Sequence, residues 1–159
     1  MTHIVHQYAE KVLAGEIVAG PHVRNQCKRH LADLDRDDIY FDEDAADRVI
    51  GFFHDVLRLS EGKFEGIPFH LHISQAFIVG SIFGWKTPDG NRRYRRAYIE
   101  MGKGNGKSPL AGGIGLYGMM ADGEAGAQIY AAAAKKDQAM ILFQDAVKMV
   151  RQSPILEPR

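Results

Sequence analysis

The chain has 159 residues, of which 45% are hydrophobic and 25% are charged, and its 20 basic residues balance its 20 acidic residues. This composition predicts a globular domain with a sizeable core. The zero net charge excludes a general attraction to nucleic acid or membrane, so any DNA contact has to come from a local patch. The single cysteine, Cys27, excludes an intrachain disulfide and suits a reducing cytosol. The sequence shows neither a signal peptide nor an apolar run near the roughly 18 residues of a membrane span.

Residues 1–68 show apolar side chains at helical spacing, which predicts an N-terminal helical extension. The first helix covers Ile4 to Val12. Pro21 suits the first position of a second helix, because a backbone N–H at that position has no acceptor within the helix. Asp42 is predicted to cap the N-terminus of a third helix.

The next segment predicts one helix and one turn. Ser74 is predicted to cap a helix that runs to Phe83, with Phe77 and Ile78 facing the core. The residues that follow, Thr87-Pro88-Asp89-Gly90-Asn91, are typical of a tight turn. Over residues 69–159 as a whole, predicted helices alternate with predicted strands.

Two strands and two helices are predicted after the turn. Residues 93–101 and 128–131 are read as strands, the second one buried. Residues 110–120 and 135–150 are read as helices, and the second helix is predicted to bury Ile141 among other apolar residues. Strands that alternate with helices favour an α/β fold with a parallel sheet.

A glycine-rich loop lies between the first predicted strand and its helix. Its glycines allow backbone N–H groups to turn inward around phosphate oxygens, and the helix adds its positive N-terminal end. Lys107 is predicted to contact the β- and γ-phosphates, and the Ser108 hydroxyl to bind Mg²⁺. The residues predicted to hold the nucleotide here are Gly102, Lys103, Gly104, Asn105, Gly106, Lys107 and Ser108.

The motif departs from the usual pattern at its first glycine. The spacing G-x-x-x-x-G-K-[ST] requires a glycine at position 101, where Met101 stands, and a surface turn that binds nothing is the alternative. Lys103 is a candidate to stabilise charge on the γ-phosphate in the transition state, with a solvated loop lysine as the alternative. No acid after the loop lies on a predicted strand. Residues 140–143 are apolar and Asp145 follows them after Gln144, but within a helical pattern, where its side chain is predicted to face solvent.

Residues 93–108 resemble the deviant Walker A region of the large terminase subunits of bacteriophages. In that family the first glycine is commonly replaced, a basic residue stands early in the loop and N-G-K-S closes it, as do Met101, Lys103 and residues 105–108 here. Gly104 stands where many members have a basic residue. Residues 75–79 and 83–85 resemble the family's adenine-recognition segment, which implies that Gln75 reads the base. Further resemblance covers residues 20–22, 29–34 and 129–139.

The resemblance implies a partial P-loop three-layer sandwich over residues 69–159, lacking later strands, behind the helical extension of residues 1–68. It implies an ATPase that uses ATP and Mg²⁺, with Lys107 and Lys103 as catalytic residues, and that couples hydrolysis to DNA translocation into the procapsid. The implied partners are double-stranded DNA, the portal of the procapsid, the small terminase subunit and further copies in a ring, in the host cytoplasm. The Walker B strand and the nuclease domain would lie beyond Arg159, so this chain alone is expected to be weakly active or inactive.

Two other functions stay open. One is another P-loop enzyme such as a small-molecule kinase, although the sequence shows no acceptor site or lid. The other is a truncated prophage remnant, or a fragment, that binds nucleotide without turnover. ATP affinity without turnover would favour the second of these.

Three further groups of residues have alternative interpretations. His22, Cys27 and His30 suggest zinc, but a fourth ligand is not evident and Cys27 suits a core. Phe69 and Trp85 could stack on a base, although core packing is the favoured reading. The one dense basic cluster could contact DNA phosphate, a neighbouring subunit's nucleotide or water, and a solvated strand edge is favoured; it consists of Arg92, Arg93, Arg95 and Arg96.

Overall fold

The computed structural model describes residues 2–60 and 62–157. These residues form two compact units, one made of the residues up to Ile50 with Leu71–Tyr98, the other made of those from Gly51 to His70 and from Ile99 onward. The elements in chain order are α1 (Ile4–Ala14), α2 (Pro21–Asp33), β1 (Tyr40–Phe41), α3 (Glu43–Gly51), α4 (Ile73–Gly84), β2 (Trp85–Lys86), α5 (Lys107–Met120) and α6 (Lys136–Gln152). A π-helical segment, Phe52–Val56, follows α3, and a 3₁₀ turn covers Gly62–Phe64. No helix among the described residues combines the length and the apolar character needed to cross a bilayer.

The three N-terminal helices confirm the helical predictions for that region. Pro21 occupies the first turn of α2. The Asp42 carboxylate accepts a hydrogen bond from Ala45 N at 2.9 Å, so it caps α3 as predicted. Helix α1 ends where Gly15 takes a left-handed conformation, with φ of 84°, which favours glycine.

The core of the first unit forms where α1, α2 and α4 meet. Its buried side chains include Val5, Val12, Cys27 and Phe77. Helices α1 and α4 approach closely at Gly80, where an added Cβ would lie only 2.4 Å from Val5 Cγ2. Glycine is therefore the residue that this crossing accommodates without a shift of the packing.

The sheet differs from the prediction. It consists of β1 and β2, which pair antiparallel with Phe41 opposite Trp85. The predicted strands at residues 93–101 and 128–131 are absent from the part of the chain that the structure describes, and Ile129 and Tyr130 are 52% and 83% exposed instead of buried. A strand is stable only when a neighbour accepts its backbone hydrogen bonds, and these β-prone residues have no neighbouring strand here. The described chain is a mainly helical α/β structure.

A buried chain of ring nitrogens connects β2 to α1 through α2. Trp85 Nε1 donates to His30 Nδ1 at 3.0 Å, and His30 Nε2 lies 2.8 Å from His6 Nδ1. An indole N–H can only donate, so His30 Nδ1 carries no proton and Nε2 of the neutral ring donates to His6. Burial, followed by the neighbouring His6, lowers the pKa of His30 from 6.5 to about 3.

This network predicts that the first unit loses stability in mild acid. The unfolded chain binds a proton at His30 near pH 6.5 and the folded chain only near pH 3, so the stability is complete above about pH 6.5 and falls as the pH drops below it. The loss for this group approaches about 1.4 kcal/mol per pH unit. Urea unfolding at pH 7.5 and 5 measures it. His30→Asn should reduce the change in the free energy of unfolding between the two pH values, while His22→Gln, at an exposed histidine, should keep it. An equal change in the wild type and both variants would contradict the assignment.

The core of the second unit forms around α5. An added Cβ at Gly113 would lie 2.3 Å from a ring carbon of Phe53, so α5 rests directly on the π-helical segment. A Cβ at Gly112 would lie 3.6 Å from the backbone nitrogen of Ala146, so α5 and α6 also pack closely. Ser153 joins the end of α6 to the π-helical segment, because its hydroxyl donates to Val56 O at 2.6 Å.

Helix α6 confirms the predicted helix, and its predicted buried face is half-buried except at Ile141. Asp145 and Met149 are buried, whereas Ile141 is 54% exposed. Asp145 is only 6% exposed and accepts a hydrogen bond from Ser60 Oγ at 3.3 Å, so the prediction that it faces solvent is wrong. The Ser60 hydroxyl offsets part of the cost of burying the carboxyl group. Sequence spacing could not reveal a partner 85 residues away.

Candidate functional site

The glycine-rich loop leads directly into α5, as predicted. Gly104 and Gly106 have φ of 85° and 72°, a left-handed conformation that favours glycine. Gly106 is the N-cap of α5, and Lys107 is its first helical residue. Two glycines with positive φ thus turn the backbone into the N-terminus of a helix.

The first turn of α5 presents backbone donors. Leu110 N donates to Gly106 O at 3.0 Å, which closes the first turn. Pro109 has no N–H, and the N–H groups of Lys107 and Ser108 lie too early in the helix to find an acceptor within it. No side chain caps this terminus. Two N–H groups and the positive end of the helix therefore fit an anion such as phosphate.

The side chains of the loop add positive charge. Lys103 and Lys107 are exposed, and no ion pair is described for either lysine in residues 2–60 and 62–157. Asn105 N contacts Gly102 O at 3.4 Å, and a Cβ at Gly102 would lie 3.1 Å from Asn105 Nδ2. The loop is thus compact around Gly102.

Helix α5 has a firm position within the second unit, which fixes the site at its N-terminus. Leu110, one turn into the helix, is buried, and Gly113 lies against Phe53. Ser108 is half-buried at the start of this helix. Its hydroxyl belongs to a fixed element, as a metal ligand requires.

Gln75 belongs to the first unit and takes part in the N-terminal cap of α4. The cap residue is His72, not Ser74 as predicted, because the His72 ring accepts from Ser74 N at 3.3 Å. Gln75 Oε1 accepts from His72 N at 2.9 Å, which completes a capping box. This hydrogen bond defines the orientation of the amide and leaves Nε2 as a donor. Sequence reasoning missed His72, although a glutamine three residues after a cap is a recognisable signal.

The zinc alternative has no support. Cys27 is buried in the core and its pKa is raised to about 11 by burial, while both ring nitrogens of His30 have hydrogen-bond partners. Within residues 2–60 and 62–157, no three His, Cys, Asp or Glu side chains are grouped as metal ligands. Mg²⁺ at Ser108 would not need such a group, because phosphate oxygens and water supply its other ligands. Phe69 and Trp85 are core residues, as favoured from the sequence.

The basic cluster is not a solvated strand edge. Arg93 Nη1 donates to the buried Asp33 Oδ2 at 2.6 Å, and the Arg92 guanidinium lies 5.3 Å from the ring centroid of Phe83. Arg95 and Arg96 are exposed. Arg93 is therefore held against the protein by its ion pair, Arg92 is exposed but lies near an aromatic ring, and Arg95 and Arg96 face solvent.

Comparison with known protein families gives one match. Residues 74–157, just over half of the chain, match the family described as terminase large subunit, ATPase domain. The matched range begins one residue before Gln75 and contains the whole glycine-rich loop with α5 and α6. No curated protein and no solved structure matches the chain. The family match, which covers more than half of the chain, shows that the chain belongs to the ATPase domain family of terminase large subunits.

Proposed function

We propose that this chain binds ATP with Mg²⁺ at the N-terminus of α5, as part of a viral DNA-packaging motor. The observation that carries the proposal is the pair of positive-φ glycines that open a helix whose first two N–H groups lack intrahelical acceptors. Membership of a terminase ATPase family supports ATP as the nucleotide. Calorimetric titration of the chain with ATP and Mg²⁺ tests it, and the absence of saturable binding would overturn it.

The chain's own groups divide the work at the phosphates. The N–H groups of Lys107 and Ser108 hold phosphate oxygens, and the Lys107 ammonium adds a charge-assisted contact. The Ser108 hydroxyl holds Mg²⁺, which when bound supplies neutralisation of phosphate charge. Lys103, exposed in the loop, approaches the γ-phosphate and stabilises charge that develops there. Gly102, Gly104, Asn105 and Gly106 shape the backbone around the phosphates.

The proposed domain organisation follows the family. Residues 1–68 form a helical extension, and residues 69–159 form the front part of a P-loop three-layer sandwich. The central sheet of that fold would include the segments at 93–101 and 128–131, neither of which forms a strand among the described residues. The Walker B strand and the nuclease domain of the family are not assigned to any described residues in this proposal.

The proposed partners are those of a packaging motor. They are double-stranded DNA, the portal of the procapsid, the small terminase subunit and further copies of the large subunit in a ring. The host cytoplasm is the proposed location. The family match supports this setting in general terms, since a terminase ATPase acts on DNA that enters a capsid.

The Gln75 amide is expected to read adenine, and two substitutions separate this role from its role in the helix cap. Gln75→Glu keeps an oxygen for His72 N but removes the Nε2 donor, whereas Gln75→Ala removes both. Both variants should lose most of the preference for ATP over GTP, by roughly 2- to 10-fold for one hydrogen bond. Only Gln75→Ala should also lower the melting temperature, because it alone loses the cap.

Competition titrations with ATP and GTP measure this preference in the wild type and both variants. Both nucleotides carry the same triphosphate, so any effect of the added carboxylate charge on it is equal for both and drops out of the ratio of the two affinities. An unchanged ratio in both variants would show that Gln75 is structural.

A further inference from the structure

Positive charge in the first unit is concentrated on two segments that contact each other. Residues 17–32, which include most of α2, contain three basic residues, and residues 90–98 contain four arginines; neither segment contains Asp or Glu. The Arg29 guanidinium lies 5.5 Å from the ring centroid of Tyr94. The two segments therefore belong to one region of this unit.

Internal contacts hold the second segment and leave its later arginines exposed. Arg93 forms the ion pair with Asp33, and its guanidinium also lies 5.4 Å from the ring centroid of Trp85. Its backbone N–H donates to Trp85 O at 2.9 Å. Arg95 and Arg96 are exposed, and no ion pair is described for either one in the part of the chain that the structure covers. These two charges have no structural role among those contacts.

We infer that the basic surface, formed by Lys28, Arg29, Arg95 and Arg96, binds the phosphate backbone of double-stranded DNA. All four side chains are exposed, and no ion pair is described for any of them within residues 2–60 and 62–157. Duplex DNA carries one charge per roughly 1.7 Å of its axis, so several neighbouring cations on one surface can each find a phosphate. Arginine can also bind a phosphate through two parallel hydrogen bonds. The identification of the polyanion as DNA rests on the proposed function. The observed distribution of charge is independent of that proposal.

The test compares two double substitutions that remove the same charge. Arg95→Ala with Arg96→Ala removes half of the basic surface, while Lys11→Ala with Arg48→Ala removes two exposed cations elsewhere in the unit. Fluorescence anisotropy with a labelled DNA duplex, at about 50 to 200 mM salt, gives the affinity and its salt dependence. A third variant, Arg95→Lys with Arg96→Lys, keeps both charges. Calorimetry with ATP and Mg²⁺ is repeated on each protein.

The basic-surface variant should bind the duplex at least about 10-fold more weakly, and its plot of log affinity against log salt should be shallower by about 0.9 for each lost phosphate contact. The Lys11 and Arg48 variant should stay within about 2-fold of the wild type, and the double-lysine variant should recover much of the affinity. Equal losses in the two alanine variants, or a preference for single strands, would overturn the inference. If the wild type does not bind ATP, the proposed function is overturned instead. The two results are independent, because the duplex measurement contains no nucleotide.

Discussion

Lys107→Ala is expected to weaken ATP binding roughly 10- to 100-fold. Lys107 is the first residue of α5 and is exposed beside the N–H groups that lack intrahelical acceptors, so its ammonium can contact the same phosphates. A hydrogen bond to a charged group contributes roughly 1.5–3 kcal/mol, which gives this range of affinity. Calorimetry with ATP and Mg²⁺ measures the loss directly.

A matched lysine provides the control for that result. Lys136 is also exposed, also lies in the first turn of a helix in the same unit, and is not predicted to contact the nucleotide. Lys136→Ala should bind ATP like the wild type, and neither variant should change the melting temperature much, because both side chains face solvent. Unchanged affinity in Lys107→Ala would refute the phosphate-binding role of the loop.

The helices could be predicted from sequence because their signals are local. Pro21 at the start of α2 and Asp42 before α3 both act within one helical turn, and the structure confirms both. The strands could not be predicted in the same way, because a strand depends on a partner that can lie anywhere in the chain. Residues 128–131 have strong β propensity, yet the described residues offer them no partner and they are exposed.

The candidate site shows the same difference between local signals and contacts with distant residues. The loop, its glycines and the start of α5 at Lys107 follow from a short motif, because positive φ and helix initiation are properties of neighbouring residues. The partners of individual side chains did not follow. Ser60 as the partner of Asp145 depends on a three-dimensional contact that no periodicity contains, whereas the cap at His72 lies three residues from Gln75 and carries the local signal of a capping box.

The 159-residue chain on its own is expected to hydrolyse ATP several powers of ten more slowly than the 1 s⁻¹ or more that is common for complete enzymes. Ser108 offers Mg²⁺ one oxygen, but hydrolysis also needs a carboxylate that supports the metal and a group that orients water. Three of the acids that follow the loop are poorly placed for both tasks. Asp122 and Glu124 lie beyond the C-terminal end of α5, a helix of 14 residues and therefore about 20 Å from Ser108. Asp145 is buried and bonded to Ser60.

A phosphate-release assay on the purified chain tests this expectation, with Lys107→Ala as the control for contaminating ATPases. Slow release that is equal in both proteins, together with ATP binding by the wild type, is the expected result, and it would favour the alternative of a chain that binds nucleotide without turnover. Release near 1 s⁻¹ that disappears in Lys107→Ala would contradict the expectation, since the chain would then contain its own catalytic acid. Asp145→Asn would be the first variant to examine in that case. Asp145 is the one acid of α6 that is buried, so its loss would abolish turnover only if α6 contributes to the site.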